Sequence, residues 1–123
     1  MRGKVSAICN GEIYNFAELK AKYGFEFQSG SDCEILIHLY EKYGNVADFI
    51  DELDGVFAFI IHDSEKNLTF IARDPIGVRP MFIGLDYNNN MMTASEAKVL
   101  NGLARPDTIK PFPPGCHWNN KDD

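Results

Sequence analysis

The sequence predicts an α+β fold, helices layered on antiparallel sheet, and three observations lead there. Two helical patterns, each stopped by a glycine, occupy residues 15–44. A continuous apolar run of strand length starts at Gly55. Polar turns then separate further strand-like segments as far as residue 94. Helices and strands are segregated, which points to helices layered on a sheet. At 123 residues the chain is one domain, able to bury roughly two thirds of the surface its unfolded form exposes.

Val5-Ser6-Ala7-Ile8-Cys9 reads as a short strand that ends at an Asn10-Gly11 turn, because Asn-Gly bends backbone through angles other residues avoid. Asn15 with Glu18 three places on is a capping box, Phe16, Leu19 and Tyr23 share one helical face, and Gly24 ends that helix. Phe25-Glu26-Phe27-Gln28 alternates as a brief strand. Ser31-Asp32-Cys33-Glu34 is a second capping box, opening a helix with Ile35, Leu36, Leu39, Tyr40 and Tyr43 at helical spacing before Gly44. Asn45 caps a shorter third helix with Val46, Phe49, Ile50 and Leu53 inward.

Val56 to His62 is apolar throughout, as for a strand covered on both faces. Asp63 to Asn67 supplies a turn and Leu68 to Arg73 the returning strand. Asp74 to Pro80 interrupts pairing, Met81 to Leu85 resumes it, and Asp86 to Asn90 leads into Met91 to Ala94, which together read as an antiparallel meander. Ser95 caps a short helix through Leu100, Cys116 to Trp118 forms a last strand, and the tail 119–123 frays.

Composition excludes several roles. The formal charge is −6, with 18 acidic residues against 12 scattered basic ones, so no stripe exists to neutralise nucleic-acid phosphates. No window approaches the apolar run that spans a bilayer, and the opening residues lack a signal-peptide core, so the expected address is cytoplasmic. Cys9, Cys33 and Cys116 form an odd set without metal-ligand spacing, and His38, His62 and His117 stand far apart; reduced thiols and no metal are expected. Asp86-x-Asn88-x-Asn90 imitates a calcium loop but has Met91 where the turn needs glycine. The Asn67-Leu68-Thr69 sequon carries no meaning without secretion.

Five stretches remain: Asn10-Gly11-Glu12-Ile13-Tyr14-Asn15, Gly30-Ser31-Asp32-Cys33-Glu34, Leu53-Asp54-Gly55-Val56-Phe57-Ala58-Phe59, Arg73-Asp74-Pro75-Ile76-Gly77-Val78-Arg79-Pro80 and Ser95-Glu96-Ala97-Lys98. In that order they resemble the signatures of the class II, N-terminal-nucleophile glutamine amidotransferases, most nearly the glutaminase domain of glutamine-hydrolysing asparagine synthetase. The resemblance runs over about residues 5–118.

It implies stacked antiparallel sheets flanked by helices and hydrolysis of glutamine to glutamate and ammonia by an N-terminal cysteine thiol. It also implies an oxyanion hole from the Asn10 side-chain amide and the Gly11 N–H, with Glu12 and Asp32 holding the α-amino end of glutamine. Physical chemistry agrees. Attack on a carboxamide places charge on oxygen, where one fixed donor is typically worth about 3 kcal/mol, and an ammonium favours carboxylates. The plainer readings are a turn at Asn10-Gly11, a solvated acid at Glu12 and a helix-start residue at Asp32. Arg73, Asp74, Arg79 and Pro80 are expected to shape their loop.

The chain departs from the family at its start. Met1-Arg2-Gly3-Lys4 holds no cysteine, and the opening strands with the arginine that pairs with glutamine's carboxylate are missing. The expectation is a partial, N-terminally truncated domain over 1–123, inactive as given, since loss of an essential nucleophile costs on the order of a millionfold. Cys9, on an apolar strand, is expected to be buried and inert. No Ser-Gly-Gly-x-Asp-Ser phosphate loop is present, so the ATP and Mg used by the family's synthetase half are not cofactors of this chain. Glutamine or glutamate is the expected ligand, and a homodimer or the missing N-terminal and synthetase portion the expected partner. The alternative is a non-catalytic amino-acid-binding or protein-interaction module derived from the same fold.

Overall fold

The computed structural model describes residues 5–121; Met1 to Lys4, where the family's cysteine is not found, and Asp122-Asp123 of the tail lie outside them. Strand β1 (Val5–Ile13) is the first element of the described residues and pairs antiparallel with β2 (Gly55–Asp63), which pairs with β3 (Leu68–Arg73). The far edge of β3 is taken by β7 (His117–Asn119), with Ile71 opposite Trp118. This four-stranded sheet, ordered β1-β2-β3-β7, leaves β1 at an edge. A second sheet, ordered β5-β4-β6, joins β4 (Phe82–Leu85), β5 (Met91–Ala94) and β6 (Lys110–Pro111).

The two sheets meet through Ala58 and Ile71 on one side and Met81, Ile83 and Phe112 on the other. On its opposite face the first sheet carries α1 (Phe16–Tyr23) and α2 (Ile35–Tyr43) over a core that includes Phe49, Phe57, Phe59, Ile61 and Phe70. Strand β2 is therefore covered on both faces, as its unbroken apolar sequence requires. Helices α1 and α2 end at Gly24 and Gly44, both left-handed, where a side chain would be strained. A short helix, α3 (Ala97–Leu100), lies beside the second sheet. Among the described residues no helix is long and apolar enough to cross a membrane.

Several local expectations are corrected. Strand β1 does not stop at Asn10-Gly11 but passes through, keeping Gly11 opposite Phe57 and Ile13 opposite Gly55. Gly11 has φ of +130°, and a Cβ there would stand 2.0 Å from the Val56 carbonyl oxygen. Glycine here admits close backbone approach rather than a reversal of the chain.

Asn15 does not cap α1 with its side chain. Its Nδ2 donates to the Glu52 carbonyl (2.7 Å) and its Oδ1 accepts from Asp54 N (2.9 Å), tying α1 to the segment before β2. The expected third helix is a pair of 3₁₀ turns, Val46–Asp48 and Ile50–Glu52, broken at Phe49, whose φ is −128°. Asn45 still caps the first of them, through Oδ1 to Ala47 N.

Residues 25–28 form no strand. Phe25 and Phe27 stack on His38 with centroids 5.0 Å away in each case, and Gln28 N donates to Glu34 instead of a neighbouring strand. Nor does β4 continue the β2-β3 hairpin as a meander; the 74–80 loop carries the chain to the second sheet. Asp74, fully buried, accepts from Phe57 N (2.9 Å), Ile76 N (3.1 Å) and Gly77 N (2.9 Å). Arg73 donates to the carbonyls of Arg79, Gly77 and Phe112. Both side chains shape the loop, each through backbone groups rather than by pairing with one another.

Gly11→Ala should destabilise the fold by more than about 2 kcal/mol, because a Cβ cannot fit between β1 and β2. Urea unfolding checks this, and an unchanged midpoint would show that the strands do not approach as described.

Candidate functional site

Because side chains alternate along a strand, β1 presents two different faces. Ile8 and Asn10 line a cavity of about 500 Å³ on the side toward the second sheet. Ala7 and Cys9 line another, of about 360 Å³, on the helical side. Asn10 and Glu12 are exposed, and Ile8 is 71% exposed despite its apolar side chain. The register sets Asn10 opposite Ala58, Gly11 opposite Phe57 and Glu12 opposite Val56.

Asn10's cavity gathers residues from motifs distant in sequence. Ala58 of β2 lines it, with Pro80 from the end of the 74–80 loop and Ser95 from the segment after β5. Sequence reasoning missed Ser95 as a lining residue by treating it as a helix cap. In the structure Glu96 occupies the N-cap position of α3, and no side chain there makes a capping bond. The only signal was position, since Ser95 is a polar residue directly after the apolar-patterned strand β5.

Asp32 reaches the stretch from the other direction. It sits in a 3₁₀ turn, Asp32–Glu34, that precedes α2, and its Oδ2 accepts from Ile13 N at 2.7 Å. That bond holds the end of β1 immediately beyond Glu12, so Asn10, Gly11, Glu12 and Asp32 share one locality. Asp32 does stand at a helix start, but the bond it makes there, through one of its two oxygens, ties that turn to the end of β1.

The turn carrying Asp32 is held by a dense polar cluster. Ser31 Oγ accepts from Cys33 N (3.2 Å), which is half of the expected capping box. Glu34 does not return the bond to Ser31. Its carboxylate accepts from Gln28 N (2.8 Å), Ser29 N (2.7 Å) and Ser29 Oγ (2.6 Å), and meets His38 Nε2 at 2.8 Å. Burial pushes the Glu34 carboxyl upward, but the bonds from Ser29, His38 and Gln28 together outweigh it. The group is held at about 2, below its ordinary 4.5.

Cys9 is half-buried rather than enclosed, and it lines the helical-side cavity together with Cys33. Cys116 is exposed at the other end of the chain.

Comparison with known proteins gives a consistent picture. The glutamine amidotransferase domain model matches residues 1–110. Asparagine synthetase B (glutamine-hydrolyzing) of Escherichia coli (strain K12) is 44% identical over 115 residues, covering 92% of this chain and 20% of that protein. Asparagine synthetase (glutamine-hydrolyzing) 1 of Arabidopsis thaliana is 42% identical over 113 residues, covering 91% of this chain and 19% of its own. The chain therefore spans about a fifth of the length of these curated relatives.

Among solved structures, the allosteric regulatory enzyme of purine biosynthesis superposes with a TM-score of 0.80 at 27% identity, covering 94% of this chain and 26% of the other. Glutamine phosphoribosylpyrophosphate amidotransferase from B. subtilis gives 0.78 at 25% identity, with the same coverage. The paired antiparallel sheets described above are thus of the N-terminal-nucleophile amidotransferase type.

Because the folded-state value of Glu34 lies below its unfolded one, its contribution to stability is complete above about pH 4.5 and is lost as pH falls toward about 2. Glu34→Gln should be less stable than the parent at neutral pH, and the gap should close through that acid window. Urea midpoints of the two proteins across pH check it, and a gap independent of pH would contradict the assignment.

Proposed function

We propose that this chain, which belongs to the glutamine amidotransferase domain family, is part of a glutaminase domain of the asparagine synthetase kind. In this reading Asn10-Gly11-Glu12 forms one wall of the glutamine site. The observation that carries it is the placement of Asn10 and Glu12, exposed along the edge strand β1, with the Asp32 carboxylate bonded to the backbone directly beyond them.

The chemistry assigned to this wall is stabilisation of charge. Thiolate attack on the glutamine carboxamide forms a tetrahedral intermediate whose oxygen becomes negative. The Asn10 carboxamide N–H and the Gly11 backbone N–H are the two donors that would meet it, fixed in place by the pairing of β1 with β2. Loss of ammonia leaves an acyl-enzyme, which water converts to glutamate. Glu12 and the Oδ1 of Asp32 are the oxygens we assign to the α-ammonium of glutamine, orienting the carboxamide toward Asn10.

The attacking thiol is not assigned to these residues. Cys9 and Cys33 line the cavity on the side of β1 opposite Asn10, and Cys116 is not among the residues lining Asn10's cavity. The chain alone therefore binds glutamine without turning it over. Delivery of the ammonia to asparagine synthesis rests on likeness to the relatives. We place association with a second copy, or with the remainder of a synthetase, along the free edge of β1, where Ile8 is exposed.

Calorimetry with glutamine and glutamate, alongside an ammonia assay, tests the reading. The expected result is measurable binding, no ammonia release, and affinity lowered roughly tenfold or more by Glu12→Gln, equivalent to about 1.4 kcal/mol. Absence of binding to the folded chain would refute the site. Release of ammonia would refute its separation from the attacking thiol.

A further inference from the structure

The helical face of β1 carries a feature that glutamine hydrolysis does not use. Cys9, on the edge strand, and Cys33, in the turn before α2, are 24 positions apart in sequence, yet the fold brings them to one cavity. Both are partly exposed and both line the same cavity of about 360 Å³, whose other walls include Ser29 and Ser31. The two elements are packed together and are joined by the Asp32–Ile13 bond, from the residue before Cys33 to a residue four positions beyond Cys9 on β1.

We infer that Cys9 and Cys33 are a reactive thiol pair that exchanges with low-molecular-weight disulfides of the glutathione class, closing to an intramolecular disulfide between β1 and the turn before α2. In the first step the Cys33 thiolate attacks one sulfur of glutathione disulfide. A protein–glutathione mixed disulfide forms, and one glutathione thiolate leaves and takes up a proton. In the second, the Cys9 thiol loses its proton to solvent and attacks the Cys33 sulfur, expelling the second glutathione. Two protein thiols are oxidised to one disulfide while one glutathione disulfide is reduced to two thiols, so electrons and protons balance.

The order of attack follows from the surroundings. The hydrogen bond from Cys9 lowers the Cys33 thiol, aided by Ser31 and opposed by burial and by the charge of Asp32. Cys9 is raised, first by its hydrogen bond to Cys33, then by burial and by the charges of Cys33 and Asp32. Once Cys33 is capped by glutathione, its hydrogen bond and its charge no longer hold Cys9 protonated. The first step thereby frees the thiol that performs the second.

The test uses the whole chain and reads mass rather than activity, so its outcome is independent of the glutamine reading. The protein is equilibrated with glutathione disulfide, residual thiols are blocked with iodoacetamide, and the product is digested with trypsin. Cleavage after Lys4, Lys20, Lys22 and Lys42 places Cys9 and Cys33 on separate peptides, 5–20 and 23–42, and Cys116 on a third. The expected product is the 5–20 and 23–42 pair joined and two hydrogens lighter than their sum, from a chain that stays monomeric on a non-reducing gel. Cys9→Ser should stop the reaction with one glutathione on Cys33, and Cys33→Ser should leave Cys9 alkylated. If Cys9 and Cys33 of the parent are instead recovered separately, alkylated or each carrying glutathione, or linked only to Cys116, the inference is overturned.

Discussion

The close approach of β1 to β2 is the constraint on which the rest of the molecule depends. At Gly11 a Cβ would lie 2.0 Å from Val56 O, and at Gly55 it would lie 2.1 Å from Glu12 O, so two glycines on opposing strands allow the backbones to meet. Phe57, opposite Gly11, is pinned by a reciprocal pair of bonds: its N–H donates to the Asp74 carboxylate, and its carbonyl accepts from Asp74 N. The end of β1 is pinned in turn by Asp32. A buried carboxylate that accepts several backbone N–H groups is costly to replace, since each donor would otherwise be left unsatisfied. Asp74 and Asp32 therefore fix, from opposite sides, the strand that displays Asn10 and Glu12.

The parity of that strand separates two chemistries. Even-numbered residues Ile8 and Asn10 face the cavity shared with Pro80 and Ser95, and odd-numbered Ala7 and Cys9 face the helical layer. A shift of one residue in register would exchange the faces and send Asn10 toward Cys33. The glycine-tight pairing makes the side of the sheet on which Asn10 appears a consequence of backbone sterics, before any side chain of the site is considered.

Most elements were legible because their signals are local. Gly24 and Gly44 end the helices where their left-handed conformations require, and the unbroken apolar run of β2 reflects a strand covered on both faces. What escaped was decided by distant partners. Asn10-Gly11 has the composition of a turn but lies mid-strand, because the facing Val56 and Phe57 backbone leaves room only for glycine. Asn15 would cap a helix, yet its side chain is held by residues 52 and 54. Phe25 and Phe27 alternate like a strand but stack on His38. The candidate site was legible at Asn10, Gly11, Glu12 and Asp32 as motif residues. The positions of Ser95 and of Cys33 opposite Cys9 needed the tertiary fold.

The central claim, that β1 displays one wall of a glutamine site, is tested most directly by mapping glutamine onto the chain by NMR. Titration into isotope-labelled protein should move the Asn10 side-chain amide, the backbone amides of Gly11 to Ile13 and the signals of Asp32, while Trp118 and Asn120 at the far end of the sheet stay unchanged. If the shifts cluster elsewhere, or if glutamine moves no signal of the folded chain, the assignment of Asn10, Gly11, Glu12 and Asp32 to glutamine is contradicted.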